Sequence, residues 1–380
     1  MAKRRGNGEG SITRRKDGLY MARYWVETSQ GPKRKTIYSK KREEVAEALA
    51  KALAERANGL VFDDENVTIG EYLDTWLNGS VRGSVRQSTF DRYESAVRLH
   101  IKPALGRLKL KKLTPAHVQG FYQDRLDVGL APASVNKLHT ILHKALSQAV
   151  KWTMVPRNVA GLVKPPRPNP AEMRVLSAEE TRRLLETAQG NKLQALYVLA
   201  VTTGMRQGEL LGLRWQDVDL ENATVSVRRT LTKNGGRLLL GEPKTTKSRR
   251  TINLTEAAVL ALSEHLTRQV DQIESLGDLY RDEGLVFASE VGTLMNPSNL
   301  RKRSFARLLK KAHLPPIRFH DLRHTCATLL LCRNVHPKYV QELLGHANIA
   351  ITLDTYSHVI PGMGDHAARA MEDVLSFPLV

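Results

Sequence analysis

The segment Leu343-Leu344-Gly345-His346-Ala347-Asn348-Ile349-Ala350-Ile351-Thr352-Leu353-Asp354-Thr355-Tyr356-Ser357-His358-Val359 holds a helix end, a histidine and a tyrosine in one short run. Gly345 stops the helix, because glycine enters the left-handed region without steric cost. His346 follows directly, and Tyr356 comes ten residues later. A lone tyrosine is more often a half-buried packing residue. Tyr356 instead has Thr355, Ser357 and His358 around it, which is polar company.

Three segments upstream are polar where a core would be apolar. In Thr202-Thr203-Gly204-Met205-Arg206-Gln207-Gly208-Glu209-Leu210 a buried helix stops at Gly204 and Arg206 opens another. An arginine beside unpaired backbone N–H groups makes an anion seat, although an arginine after a helix stop is usually a surface charge. Pro243-Lys244-Thr245-Thr246-Lys247-Ser248-Arg249-Arg250 is a basic turn between two strands. A lysine at such a tip can touch a base edge or donate a proton; the plainer reading is an exposed, charged hairpin. In His320-Asp321-Leu322-Arg323-His324-Thr325, His320 and Arg323 lie three apart on one helix face and can approach the same anion. The spacing of His320 and His324 also suits a metal, but zinc needs further ligands and no His-Glu-x-x-His occurs.

The chain has 380 residues, enough for two or three domains. Lys and Arg number 58 against 39 acids, a formal charge of +19, and such a field attracts polyanions, nucleic acid first. An anionic membrane is the rival, but the longest apolar run, Leu193 to Thr203, is too short to span a bilayer. No apolar stretch follows the basic start, so no secretory signal is read there. Two cysteines, Cys326 and Cys332, six apart in a helical pattern, fit a reducing cytoplasm.

Residues 1–42 carry 13 Lys or Arg and three acids. Leu19 to Glu27 and Lys35 to Tyr38 read as strands, and Arg42 to Ala57 as a helix stopped by Asn58-Gly59. Residues 66–164 read as all-helical: Thr68 with Glu71 forms a capping box, Ser88 or Thr89 caps the next helix, and Thr114-Pro115 starts a third. Ser134 to Lys151 carries an apolar stripe, with Lys137, His139, His143 and Lys144 off it. The proline-rich run Lys164 to Pro170 is a stiff, basic connector, placing a linker at 165–172. In residues 173–380, Ser177 to Glu180 starts a helix, Gln194 to Thr203 is a buried one, and Thr224 to Leu231 pairs as a strand with Arg250 to Leu254. Helices are predicted at about 256–276, 297–312, 321–332, 337–344 and 366–375.

Taken together, residues 173–360 resemble the catalytic domain of the tyrosine recombinases, the family of bacteriophage integrases and chromosome dimer-resolving recombinases. Its six catalytic positions fall on Arg206 (in a Thr-Gly-x-Arg-x-x-Glu-Leu setting), Lys244, His320, Arg323, His346 and Tyr356, with no departure at any. The resemblance implies a mainly α chain with small β-sheets. An arm-type DNA-binding domain, a three-stranded sheet plus helix, covers 1–65, with Gly10 to Ile12 and Asp17 to Tyr20 matching its start and turn. A helical, SAM-like core-binding domain covers 66–164, and a mixed α/β catalytic domain covers 173–380.

The implied activity is site-specific DNA recombination, integration or excision of a mobile element, through a 3′-phosphotyrosine and a Holliday junction. Arg206 and Arg323 would grip the non-bridging phosphate oxygens, His320 would share the proton of Tyr356, Lys244 would protonate the leaving 5′-oxygen, and His346 would bond a phosphate oxygen. No cofactor, metal or ATP is implied, since the phosphotyrosyl ester keeps the bond energy. The partners implied are core and arm attachment sites, three further copies in a tetramer (with the last helix reaching a neighbour), an excision factor and a DNA-bending host protein. The place of action is the nucleoid of a bacterial cytoplasm. Arg14, Arg15, Tyr20, Arg23, Lys35, Lys137 and Lys247 are the DNA contacts expected. Rival readings are a DNA-binding protein that has lost chemistry, a type IB topoisomerase, which would lack the arm domain, and a metal-dependent nuclease.

Overall fold

The computed structural model describes residues 11–28, 31–57, 66–168, 174–242, 249–356, 371, 372 and 375. The chain divides into two compact units, Met1–Ala171 and Glu172–Val380.

The first unit begins with an antiparallel meander of Ser11–Arg14, Tyr20–Thr28 and Gly31–Ser39. Gly18, with φ +83°, turns the first strand into the second. Alternation then sorts the side chains. Ala22, with Ile12, Tyr20, Tyr24 and Ile37, packs on Val45, Leu49 and Leu53 of the helix Arg42–Ala57. The opposite face carries Arg23, Trp25, Arg34 and Tyr38, and Trp25 and Tyr38 are about half exposed there. Of the DNA contacts expected in this region, Tyr20, Lys35 and Arg14 share the helix-facing parity, whereas Arg23 lies on the open face. Arg15 reaches that face too, its guanidinium 5.4 Å from the Tyr38 ring centre.

A separate core holds the helices Ile69–Trp76, Gln87–Ala96, Pro115–Asp127 and Pro132–Lys151 together. The Thr68–Glu71 capping box forms as expected. The helix at Gln87 does not take its cap from Ser88 or Thr89: Arg86 precedes it and no side chain caps it, so both residues fall inside the first turn. The fourth helix starts at Pro132 rather than Ser134, because proline's fixed φ suits the first helical position. His139 is tied into the bundle by the Tyr122 hydroxyl, 2.6 Å away, while Lys137 stays exposed.

The second unit is built round the helix Gln194–Thr203, whose Ala195, Leu196, Tyr197 and Leu199 are fully buried. Helices Ala178–Thr187, Glu256–Leu276 and Asp321–Cys332 pack against it. Val218–Asp219, Thr224–Val227 and Arg250–Asn253 form a small antiparallel sheet in that order. The strand expected over Thr224 to Leu231 breaks at Arg228 and Arg229. Both arginines turn to the buried Asp217, and Nη1 of Arg229 lies 2.6 Å from its carboxylate. The chain resumes as a hairpin, Thr230–Asn234 with Arg237–Gly241, turned by Gly235 and Gly236 at positive φ. A further helix, Ile349–Tyr356, was not expected from the sequence. Lys244 and Lys247, and most of the predicted helix at 366–375, lie outside the described residues. Among the described residues no helix is long and apolar enough to cross a membrane.

Candidate active site

Gly204 ends the buried helix in the left-handed region, φ +60°, and a side chain there would also strike Leu344, 2.6 Å from the position of a Cβ. That close approach brings the end of helix Gln194–Thr203 against the end of helix Pro337–Leu344. Arg323, on the first turn of helix Asp321–Cys332, bridges the two ends. Its Nη1 donates to the Gly204 carbonyl at 2.8 Å and its Nη2 to the Leu344 carbonyl at 2.7 Å. The side chain is buried. Burial, and next the neighbouring Arg206, pull its pKa down to about 9, so it remains a cation at neutral pH.

Arg206 precedes the short helix Gln207–Leu211 and is locked by Glu209, three residues on. Its Nη1 lies 2.7 Å from Oε1 of Glu209, and its own backbone N–H donates to Oε2 at 2.9 Å. Its Nη2 reaches the Gly345 carbonyl at 3.5 Å. Burial works against a charged Glu209, but Arg250 and Arg206 outweigh it and hold the carboxyl below its usual range. Unlike Arg323, Arg206 keeps 37% of its side chain open, so it can meet a ligand.

Tyr356 is the last residue of its helix. Its ring is 1% exposed, packed with Ala327, Leu331, Val340 and Leu344. Its hydroxyl lies 2.7 Å from Nδ1 of His324. Burial pushes the phenol up to about 12, and burial also pulls His324 down to about 4, with His320 adding to the effect. At neutral pH the phenol is therefore the donor and the imidazole the acceptor. His320 meets the His324 ring edge-on, 5.0 Å between centres, and its own pKa is lowered by desolvation, then by Arg323 and Arg206. His346, just beyond the Gly345 stop, sits with Nδ1 2.9 Å from the Thr352 hydroxyl. Burial, then Arg323 and Arg206, bring it down to about 4.

Five of the six expected positions thus converge on one cluster, and the sixth, Lys244, is outside the described residues. His324, Glu209, Arg250 and Thr352 belong to the cluster and were not singled out for it. The sequence marks His324 only through its metal-like spacing from His320; among the described residues no group of three or more His, Cys, Asp or Glu is placed to hold a metal. Glu209 was legible in the Arg-x-x-Glu spacing, and Arg250 at the end of the basic turn. The cluster sets two guanidinium groups, of which Arg206 is open to an anion, close to a tyrosine whose hydroxyl is held inward on His324.

Comparison with known proteins gives the family. Residues 174–362 match the Phage integrase family, and 68–126 match the phage integrase N-terminal SAM-like domain. A tyrosine recombinase XerC-like protein of Caldanaerobacter subterraneus is 34% identical over 360 residues, covering 90% of this chain and 92% of that protein. The chain belongs to the phage integrase family of tyrosine recombinases. An integrase of Streptomyces ambofaciens is 27% identical over 98% of both chains. Among solved structures, the Tn1549 transposon integrase in complex with a circular intermediate DNA has a TM-score of 0.68 at 23% identity, covering 81% of this chain and 100% of that one. A lambda integrase tetramer bound to a Holliday junction has a TM-score of 0.58 at 20% identity, covering 93% and 96%. These two show the shared fold. As a tyrosine recombinase of the integrase type, this protein is an enzyme of site-specific DNA recombination.

Proposed function

We propose that Tyr356 is the nucleophile of this integrase and that Arg206, Lys244, His320, Arg323 and His346 act with it on one phosphodiester. The observation that carries this reading is the Tyr356 hydroxyl on His324, the residue next to the Arg323 that ties Gly204 to Leu344. The two guanidinium groups offset the charge that repels a nucleophile and stabilise the pentacoordinate transition state. His324 holds the phenol neutral and oriented at rest. A phosphate cannot reach an oxygen on a ring that is 1% exposed, so helix Ile349–Tyr356 shifts before attack. The freed phenol then passes its proton to His320 as its oxygen bonds to phosphorus. The P–O5′ bond breaks, and the 5′-oxygen takes a proton from Lys244. The product is a 3′-phosphotyrosine, which the 5′-hydroxyl of a second duplex attacks in turn. Nothing in these steps calls for a metal ion or ATP.

The assembly we propose is a homotetramer on paired core sites. Residues 1–65 hold arm sites, 66–164 grip core DNA, 165–172 link, and 173–380 cut. An excision factor and a DNA-bending host protein complete it, in the nucleoid of a bacterial cytoplasm. The test is covalent trapping on a nicked duplex from the protein's attachment site, with EDTA present. A DNA-linked band on a denaturing gel, absent with Tyr356→Phe, is expected. Intact binding with no band would favour a DNA-binding protein that has lost chemistry.

A further inference from the structure

Three successive carbonyls close helix Pro337–Leu344, and each accepts from a different arginine. Nε of Arg250 donates to Leu343 at 2.6 Å, Nη2 of Arg323 to Leu344 at 2.7 Å, and Nη2 of Arg206 to Gly345 at 3.5 Å. A helix C-terminus leaves these oxygens without intrahelical partners and carries partial negative charge, so cations settle there. The three arginines come from three distant places in the chain: a helix start, a strand start and the first turn of another helix. Arg206 and Arg323 are already given to the phosphate. Arg250 is not: its Nε is held by the Leu343 carbonyl and its Nη2 by the Glu209 carboxylate.

We infer that Arg250 is a positioning residue for strand cleavage, fixing Arg206 and the His346 turn relative to one another. Its Nη2 lies 3.0 Å from Oε2 of Glu209, whose Oε1 holds Arg206 at 2.7 Å. Its Nε holds the carbonyl two residues before Gly345, the residue that precedes His346. One planar guanidinium thus spans the carboxylate that aims Arg206 and the helix end that presents His346. Lysine, with a single ammonium on a flexible stem, cannot hold both directions at once. Arg250 opens the strand paired with Thr224–Val227, so its backbone is fixed by the sheet register Val227↔Arg250. The inference rests on the proposed roles of Arg206 and His346.

The experiment compares wild type, Arg250→Lys and Arg250→Gln for phosphotyrosine formation, core-DNA affinity and thermal midpoint. The probe is a nicked duplex carrying the core at the element's chromosomal junction. A parallel duplex has a neutral methylphosphonate at the scissile position, which lightens the charge load on Arg206. Misplacement of a group that meets the reacting phosphate costs on the order of 100-fold. Both variants are expected to lose about 10- to 100-fold in cleavage rate with DNA affinity held within about threefold, and to recover most of that loss on the methylphosphonate. Arg250→Lys, which keeps the buried charge, guards against simple unfolding of the Gln variant. Unchanged cleavage by Arg250→Lys would overturn the inference. So would an equal loss on both duplexes, or a loss that follows the thermal midpoint alone. Absence of any adduct with wild-type protein would strike at the catalytic reading instead, so the two failures are told apart.

Discussion

Nδ1 of His324 lies 2.7 Å from the Tyr356 hydroxyl, while His320 meets only the edge of the His324 ring. The two ends of this hydrogen bond differ in burial, and so do the costs of deleting them. His324→Ala leaves a hydroxyl without its partner on a fully buried ring, a loss of about 1–3 kcal/mol. Tyr356→Phe leaves only a half-buried ring nitrogen, which water can serve, and costs about 1 kcal/mol. Denaturant unfolding of both variants checks the order, and a larger loss for Tyr356→Phe would contradict the assigned donor and acceptor.

The buried phenol also implies movement. With Tyr356 as the proposed nucleophile, helix Ile349–Tyr356 has to leave the Ala327, Leu331, Val340 and Leu344 contacts before the phenol meets phosphorus. Backbone amides of residues 349–356 are expected to exchange faster when core DNA binds, while those of 322–331 stay protected. Equal protection of 349–356 with and without DNA would show that no such release occurs.

Two histidines make the second unit sensitive to acid. His324 and His346 are both held near 4, against about 6.5 in an unfolded chain. Between those values the unfolded state binds more protons than the native state, so stability falls as pH drops from about 6.5 to about 4 and levels off below. His324→Gln and His346→Gln should each flatten part of that slope. Thermal midpoints measured from pH 4 to pH 7 read it directly; a slope unchanged in both variants would place the acid sensitivity elsewhere.

Arg323 bonds two carbonyls of two different helix ends at once. Lysine keeps the charge but reaches only one direction, leaving a buried carbonyl unserved. Arg323→Lys is expected to lower stability by about 1–3 kcal/mol and to cut adduct formation at least about 100-fold. Stability and cleavage both near wild type would mean that the fork geometry is idle.

The helices at 256–276, 321–332 and 337–344 were legible because their apolar positions recur at helical spacing, and the first and third also carry a capping side chain and a glycine at their ends. The convergence of Arg206, Arg323, His346 and Tyr356 was legible only through resemblance, since no local pattern states which loops meet. What escaped was tertiary in origin. His324 shares a helix with His320, and nothing in their spacing says which one the tyrosine will find. The break at Arg228-Arg229 depends on the buried carboxylate of Asp217, contributed from the turn before the strand. The Gly235-Gly236 pair is a hairpin signal in the sequence, and the hairpin it turns lies before the basic segment rather than at it.

Strand alternation makes the final prediction, on the arm unit. Arg23 and Trp25 stand on the open face of the meander, whereas Tyr20 packs toward helix Arg42–Ala57. An exposed tryptophan among arginines offers a flat apolar surface inside a positive field, suited to a groove lined by phosphates. Arg23→Ala and Trp25→Ala are therefore expected to weaken arm-site binding by about 1–3 kcal/mol each while leaving the fold intact. Tyr20→Ala should act differently, loosening the sheet from its helix and lowering the unit's stability along with its affinity. Circular dichroism melts beside gel-shift titrations on arm DNA separate the two patterns. Loss of affinity with Tyr20→Ala at unchanged stability, and none with Trp25→Ala, would mean that the unit reads DNA from its other side.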